Sequence, residues 1–502
     1  MATLRVNILS NYAGQLWMAF MAVAFLPLYI RILGMEAFGL VGLLLSFQSI
    51  LQIFDFGIGG STNRELSRRA HDDRLAASAR DLVRTSELII WLVPTAIALL
   101  AWASSGLLAN EWLNLRSMRP GEGARAIALM GVAIALLWPS TFYANCLSGL
   151  ERQPTLNVIN AAFATLRFAG VLPVLWQSPT IEAFLAWHAV VGLAQSLATA
   201  AAVWRSLPRA TFRPRINIEE LRRHSGFAGG LFVVSLLALG VTQLDRLVLT
   251  TLRPLEEMGQ YTLALSVAAG LGRMVQPMFN ALYPRFSRLV ARNEIKQLSQ
   301  LYHLSSQYLA VVVSAIAMVL IVFARDVLFL WAGDEALATR VAVPLGILVA
   351  GTALNGLLNI PYALQLANGW TRLALAMNAI SLVIGVPYCL WAITNHGIVG
   401  AAGMCLLTNL ISFAVGVPLM HRKLLRGEMS RWFGQDVLPP LLASTVVTVS
   451  LAASVDPLPR TPYGVIVLAV VCAATLTASV MASRSVRRAI AGWAGLSGQR
   501  EN

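Results

Sequence analysis

Charge is what this chain of 502 residues has least of: Asp, Glu, Lys and Arg together make up 12% of it, against 57% hydrophobic residues. A soluble domain keeps about a quarter of its residues charged, so the composition implies a polytopic helical membrane protein instead. Cysteine is scarce too. Cys146, Cys389, Cys405 and Cys472 each fall inside an apolar run and form no C-x-x-C pair, which argues against disulfides and metal and leaves them as small apolar filler. The chain also lacks G-x-x-x-x-G-K-[ST], H-E-x-x-H and any carboxylate pair in a sizeable loop. No nucleotide, metal or other cofactor is implied, and neither is an enzyme.

What the chain does have is apolar runs. At about 20 residues per crossing, spans are predicted near 12–33, 38–57, 86–108, 126–147, 158–177, 183–204, 226–250, 261–284, 304–324, 341–364, 374–394, 398–420, 436–455 and 462–483, about fourteen in all. The first run reads as a retained span with no small-residue cleavage site. The net charge of +14 does not point to nucleic acid, because the basic residues sit in short loops. With the N-terminus inside, the cytoplasmic segments hold Arg64, Arg68 and Arg69, then Arg205 to Arg223, Arg285 to Lys296, Arg422 to Arg431, and Arg484 to Arg488. The opposite loops are nearly bare, so both termini are expected in the cytoplasm, with anionic lipid as a partner.

An internal repeat emerges when landmarks are paired. "EAFGLVGL" around Gly39 resembles "EEMGQYTLAL" around Gly259, "RELSRRA" from Arg64 resembles "RFSRLVA" from Arg285, and "GLERQPTLNVIN" from Gly149 resembles "GWTRLALAMN" from Gly369. The separation is about 220 residues each time, which makes six spans the repeating unit. Six is even, so both halves enter the membrane in the same direction. The expected fold is all-α, with two parallel six-helix lobes in a V around a central cleft and two further C-terminal helices. The corresponding divisions are 1–225, 226–435 and 436–502.

Charges inside spans are the most informative residues, since each costs about 2.5–3.5 kcal/mol at a span's centre. Arg167 in "ATLRFAGV" and Arg273 in "GLGRMVQP" lie near the middle of spans 5 and 8 and are read as facing a polar cavity, the alternative being a partner that merely ties helices together. Arg31 and Arg246 sit near the outer ends of spans 1 and 7, either snorkelling to headgroups or forming a matched pair at the outer mouth. Among embedded acids, Asp55 and Asp245 stand out. Asp55 reads as a proton or cation site or as a clamp on a loop arginine such as Arg64, with the clamp preferred. Asn160, Gln195, Gln276, Asn280, Asn355, Asn359 and Gln365 add polarity within or at the ends of spans, and His188 is read as the one histidine inside a span, in a packing role.

Four segments, "FDFGIGGSTNRELSRRA", "QLDRLVLTTLRPLEEMGQYTLALSVAAGLGRMVQPMFNALYPRFSRL", "VLFLWAGDEAL" and "LQLANGWTRLALAMN", resemble the polysaccharide transporter branch of the multidrug/oligosaccharidyl-lipid/polysaccharide (MOP) flippase superfamily, through most of spans 1 to 12. The resemblance implies alternation between inward-open and outward-open lobes. The cargo it implies is an undecaprenyl-diphosphate-linked glycan, moved to the periplasmic face of a bacterial inner membrane for O-antigen, capsule or exopolysaccharide synthesis. Further implied partners are a glycan polymerase, a chain-length regulator, and a proton or sodium as coupling ion. Arg167 and Arg273, then Arg31 and Arg246, are the candidate headgroup contacts, because guanidinium pairs with diphosphate oxygens; Asp55 and Asp245 are the gating or coupling candidates. A lipid II flippase or a multidrug/cation antiporter of the same superfamily is the competing reading. A glycan polymerase or ligase is more remote, since the longest outer loops run to only about 16 residues.

Overall fold

The computed structural model describes residues 14, 17–18, 20–51, 58–69, 76–116, 118–208, 215–216, 228–455 and 458–488. Asp55, with the rest of 52–57, lies outside them. The described residues are helical, with no strand among them.

In chain order the helices are α1 (Leu26–Leu33), α2 (Met35–Leu51), α3 (Ile58–Arg69), α4 (Ala76–Leu107), α5 (Pro120–Leu137), α6 (Pro139–Gly149), α7 (Gln153–Phe168), α8 (Val171–Gln177) and α9 (Ile181–Ser206). They continue as α10 (Ala228–Leu252), α11 (Leu255–Ala291), α12 (Ile295–Val322), α13 (Ala324–Ala332), α14 (Glu335–Ala367), α15 (Thr371–Ile411), α16 (Val417–Leu424), α17 (Leu438–Val455) and α18 (Pro462–Ala482). Among the described residues, nine helical stretches are long and apolar enough to cross a membrane. One of them, Thr371–Leu424, bends at Gly397, whose φ of 53° only glycine adopts readily, where two crossings are predicted to meet. Side chains such as Leu92, Leu100 and Val383 stay largely exposed, as lipid-facing residues do.

Helix ends follow local chemistry. Thr180 caps α9 by accepting from the Ala183 N–H at 3.3 Å, and Arg205 lies in its last turn. Gly333, at φ 69°, closes α13 in the left-handed region, and Asp334 then opens α14 by accepting from the Leu337 N–H at 3.0 Å.

The basic stretches are more helical than their loop-like composition predicts. Arg64 and Arg68 stand on α3, and Arg285 and Arg288 on the last turns of α11. Gly59 and Gly60 lie within α3. The helix α3 packs closely on α6, where a Cβ added to Gly149 would lie 2.5 Å from the Asn63 carbonyl oxygen.

The chain divides into two compact units, Met1–Gly259 and Gln260–Asn502. In the first, α5 packs against α4 and α9 through small residues: Gly131 faces Ala98 and Ala101, and Gly192 faces the Leu137 backbone. The boundary falls one turn inside α11, because that turn is tied to α2 by a reciprocal contact. A Cβ on Gly39 would lie 2.3 Å from the Leu255 carbonyl oxygen, and one on Gly259 would lie 2.3 Å from the Met35 carbonyl oxygen. Residues 35 and 39 thus meet 255 and 259 from both sides, all of them within the first unit.

The second unit is organised around α12, which packs against α14, α17 and α18. Val319 and Phe323 form a small core with Leu458 and Val471. Thr448 and Thr475 share a hydrogen bond of 3.0 Å between α17 and α18, and Ser479 donates to the Val311 carbonyl at 3.3 Å.

Candidate functional site

In the first unit, Arg167 is half-buried, well inside the helical stretch formed by α7 and α8. Its Nη2 donates to Gln195 Oε1 on α9, and the Gln195 Nε2 donates onward to Asn160 Oδ1 at 3.2 Å. Gln195 is only 9% exposed, and the Arg167 Nε is buried without a hydrogen-bond partner. Among the described residues no carboxylate pairs with Arg167. A guanidinium held by neutral amides keeps its positive charge uncompensated, so it can still be answered by an anion. His188, seven residues before Gln195, donates from Nδ1 to the Phe184 carbonyl at 2.9 Å and stacks on the Phe184 ring, which is a packing role.

Arg246 occupies a separate network. Its Nη1 donates to Gln243 Oε1 at 2.8 Å within α10 and to Ser46 Oγ on α2 at 3.4 Å, while its Nε is buried and unpaired. Asp245 is 6% exposed on the same helix. Arg31 lies exposed in the last turn of α1. The arginines at 167 and 246 are therefore each cradled by neutral groups, and Arg31 stands at a helix end.

In the second unit Arg273 lies at the middle of α11 and is exposed. One face of that helix continues with Gln276, which donates to Asn280 Oδ1 at 3.2 Å. The same unit contains a cavity of about 310 Å³ among α14, α15, the wide turn after α15 and the start of α16. Asn355, Asn359 and Gln365, all read from the sequence as polar span residues, line it.

Sequence reasoning missed two buried acidic centres. In the first unit Glu87 accepts from Trp204 Nε1 at 2.7 Å, Tyr143 OH at 2.9 Å and Arg84 Nη1 at 3.0 Å, tying α4, α6 and α9 together. In the second, His303 bridges the Asp436 Oδ2 and, at 3.0 Å, the Glu428 Oε2; Gln307 Nε2 donates to Asp436 Oδ1 at 2.8 Å. Burial alone would raise the Glu428 carboxyl, but the hydrogen bonds from His303 and Ser299 outweigh it and hold it below its ordinary value. His303 and His421, both buried, lie in the same helical stretches as the predicted spans 304–324 and 398–420, just beyond their predicted bounds. The signal was present at the edges of predicted spans: Glu87 is the second residue of 86–108, His303 immediately precedes 304–324, and Asp436 opens 436–455.

Residues 4–290 match the family model described as "Polysaccharide biosynthesis protein", and residues 231–391 match the one described as "MatE". The first match covers more than half of the sequence. The chain belongs to the polysaccharide biosynthesis protein family. A curated Shigella flexneri protein described as "Putative O-antigen transporter" is 21% identical over 399 residues, which is 79% of this chain and 92% of that protein. Among solved structures, an inward-facing multidrug resistance MATE family transporter of the MOP superfamily aligns with a TM-score of 0.66 at 13% identity, over 80% of this chain and 95% of its own. The lipid II flippase MurJ, in an inward closed conformation, aligns with a TM-score of 0.66 at 11% identity, over 95% of this chain and 98% of its own. At such identities these structures establish the fold, which is the all-α polytopic one. This family member is a multi-pass membrane transporter of the MOP superfamily, and not an enzyme.

Proposed function

We propose that the protein is a flippase that carries an undecaprenyl-diphosphate-linked oligosaccharide from the cytoplasmic to the periplasmic leaflet of a bacterial inner membrane, by alternating access, for O-antigen, capsule or exopolysaccharide synthesis. The observation that carries this reading is the Arg167 cradle. A cation well inside a spanning helix, bonded to Gln195 and given no carboxylate among the described residues, suits an anionic headgroup. The similarity to the Shigella flexneri O-antigen transporter supports the same cargo. Arg273, exposed at the centre of α11, is the second headgroup contact, and Arg31 and Arg246 are weaker ones. Asp245, and Asp55 outside the described residues, are coupling candidates for a proton or sodium.

In this reading both termini are cytoplasmic, and the lobes are 1–225 and 226–435, with 436–502 appended. The MatE match at 231–391 gives a cation antiporter some standing. Cation export, however, calls for acids where the spans of this chain carry arginines.

The test is deletion of the gene. Surface polysaccharide should vanish while its lipid-linked repeat unit accumulates at the cytoplasmic face, and plasmid-borne wild type should restore display. Intact surface polysaccharide after deletion, together with a gain in drug sensitivity, would move the assignment to the antiporter.

A further inference from the structure

The cavity in the second unit differs from the arginine sites in its chemistry. Seven of its lining side chains are polar, among them Asn355, Asn359, Tyr362, Gln365, Asn378 and Asn409, and none of its lining residues is charged. A carboxamide offers donors and an acceptor on one rigid plane, which matches a hydroxyl that both donates and accepts. It matches a diphosphate poorly, because half of each amide is then repelled. A divalent or sodium ion is better served by carboxylates.

Part of this lining is pre-set and part is unused. Asn355 Nδ2 donates to Asn409 Oδ1 at 3.0 Å, Asn409 Nδ2 donates to the Cys405 carbonyl at 2.8 Å, and Asn359 Nδ2 donates to the Asn355 carbonyl at 2.9 Å. These bonds fix the amide planes. Gln365, by contrast, is only 8% exposed and lines the cavity, yet its carboxamide has no hydrogen-bond partner among the described residues. Its amide atoms are not sealed off but open onto the cavity, where a ligand or water can complete them. Asn378 is likewise without a side-chain hydrogen bond there.

Tyr362 adds a flat apolar face. Its ring stacks on Phe279 with centroids 6.0 Å apart and planes at 21°, and Phe279 stacks on Tyr283 at 6.1 Å. The C–H face of a ring-shaped polar molecule can cover such a surface while its hydroxyls reach the amides. The volume, about 310 Å³, is at the small end of ligand pockets, which run from about 300 to 1,000 Å³.

We propose that this cavity binds a neutral, polyhydroxylated ring, a sugar unit of the cargo, and so helps to select which glycan is carried. The proposal rests on the flippase reading and assigns the sugar a site of its own, distinct from the arginines that meet the diphosphate.

The test uses the full chain in lipid nanodiscs and two probes, a methyl hexopyranoside and a methyl hexuronoside, followed by saturation-transfer difference NMR. The neutral glycoside should show the stronger transfer, and Gln365→Leu and Asn378→Leu should each weaken its binding about two- to tenfold, the effect of one lost hydrogen bond. Because Asn378 is only half-buried, its variant guards against misfolding at Gln365. Equal transfer to both probes, or no change in either variant, overturns the proposal. So does a thermal midpoint raised by sodium chloride over choline chloride in the wild type but not in Asn378→Leu, without a sugar signal, since the cavity would then hold a cation. Gene deletion separates the two readings. Surface glycan that persists after deletion sinks the flippase assignment. Surface glycan that is lost on deletion but fully restored, with unchanged sugar binding, by the Gln365→Leu/Asn378→Leu double variant sinks the sugar site alone.

Discussion

The two units handle a mid-span arginine in opposite ways. In the first, Arg167 is drawn in by Gln195, which is itself held by Asn160, so the charge is fixed in direction without being neutralised. In the second, Arg273 is exposed at the centre of α11, on a helix face that continues through Gln276 and Asn280. An insertion cost of about 2.5–3.5 kcal/mol per arginine applies to both. The difference teaches that one charge is oriented by a buried amide, whereas the other reaches the surface of its helix. Pre-organised groups lose less on binding, so the cradled arginine should discriminate more sharply between cations that could replace it.

The largest effects are therefore expected at these two positions. Arg167→Ala and Arg273→Ala should each abolish glycan display in a deletion strain while inserted protein stays at wild-type levels on immunoblot. Lysine separates the two. Arg167→Lys loses the guanidinium that reaches Gln195 through Nη2 and should lower transport about ten- to a hundredfold, the range of one charge-assisted hydrogen bond of about 1.5–3 kcal/mol. Arg273→Lys keeps an exposed cation and should restore most display. Equal behaviour of the two lysine variants would erase the distinction, and normal display in both alanine variants would remove the arginines from the mechanism.

The acidic centres repeat the contrast at lower stakes. Glu87 collects donors from a tyrosine, a tryptophan and an arginine, whereas Asp436 faces a histidine and a glutamine and is fully buried. Removing one partner of a buried charged pair costs about 3–5 kcal/mol. Asp436→Ala should thus lower the thermal midpoint of the purified protein markedly. Glu87→Gln, which keeps an acceptor for Tyr143 and Trp204, should lower it less. A reversed order would mean that the first unit, not the second, depends on its buried acid.

Much of this layout was legible beforehand. Apolar length located the helices, and Gly39 and Gly259, picked out in the sequence as landmarks, are each pressed against a backbone carbonyl of the other's helix. Arg167, Asn160 and Gln195 were each visible as polar residues in apolar surroundings, although only the structure joins them into one chain of hydrogen bonds. The buried acids were not legible because hydropathy marks where a helix becomes apolar, not where it begins. The helix α4 starts at Ala76, ten residues before the predicted span, and α12 starts at Ile295, nine before its own. Glu87, His303 and Asp436 sit at or near those margins, where composition reads as interface and packing decides otherwise.

The smallest expected effect lies at the edge of the second unit's acidic centre and tests whether that centre extends beyond the membrane. Glu428 lies in the loop between two spans, accepts from Ser299 at 3.1 Å and His303, and has a carboxyl held below its ordinary value. A folded-state carboxyl that is more acidic than the unfolded one adds stability above the ordinary carboxylate range and loses it as pH falls through the lowered value. Wild-type protein should therefore lose part of its thermal midpoint as pH falls from about 5 to about 3, and Glu428→Gln should lose less over the same interval. Because the Glu428 side chain is 29% exposed, the difference should correspond to no more than about 1 kcal/mol. A pH response in Glu428→Gln as steep as that of the wild type would confine the acidic centre to His303, Asp436 and Gln307, leaving the loop glutamate outside it.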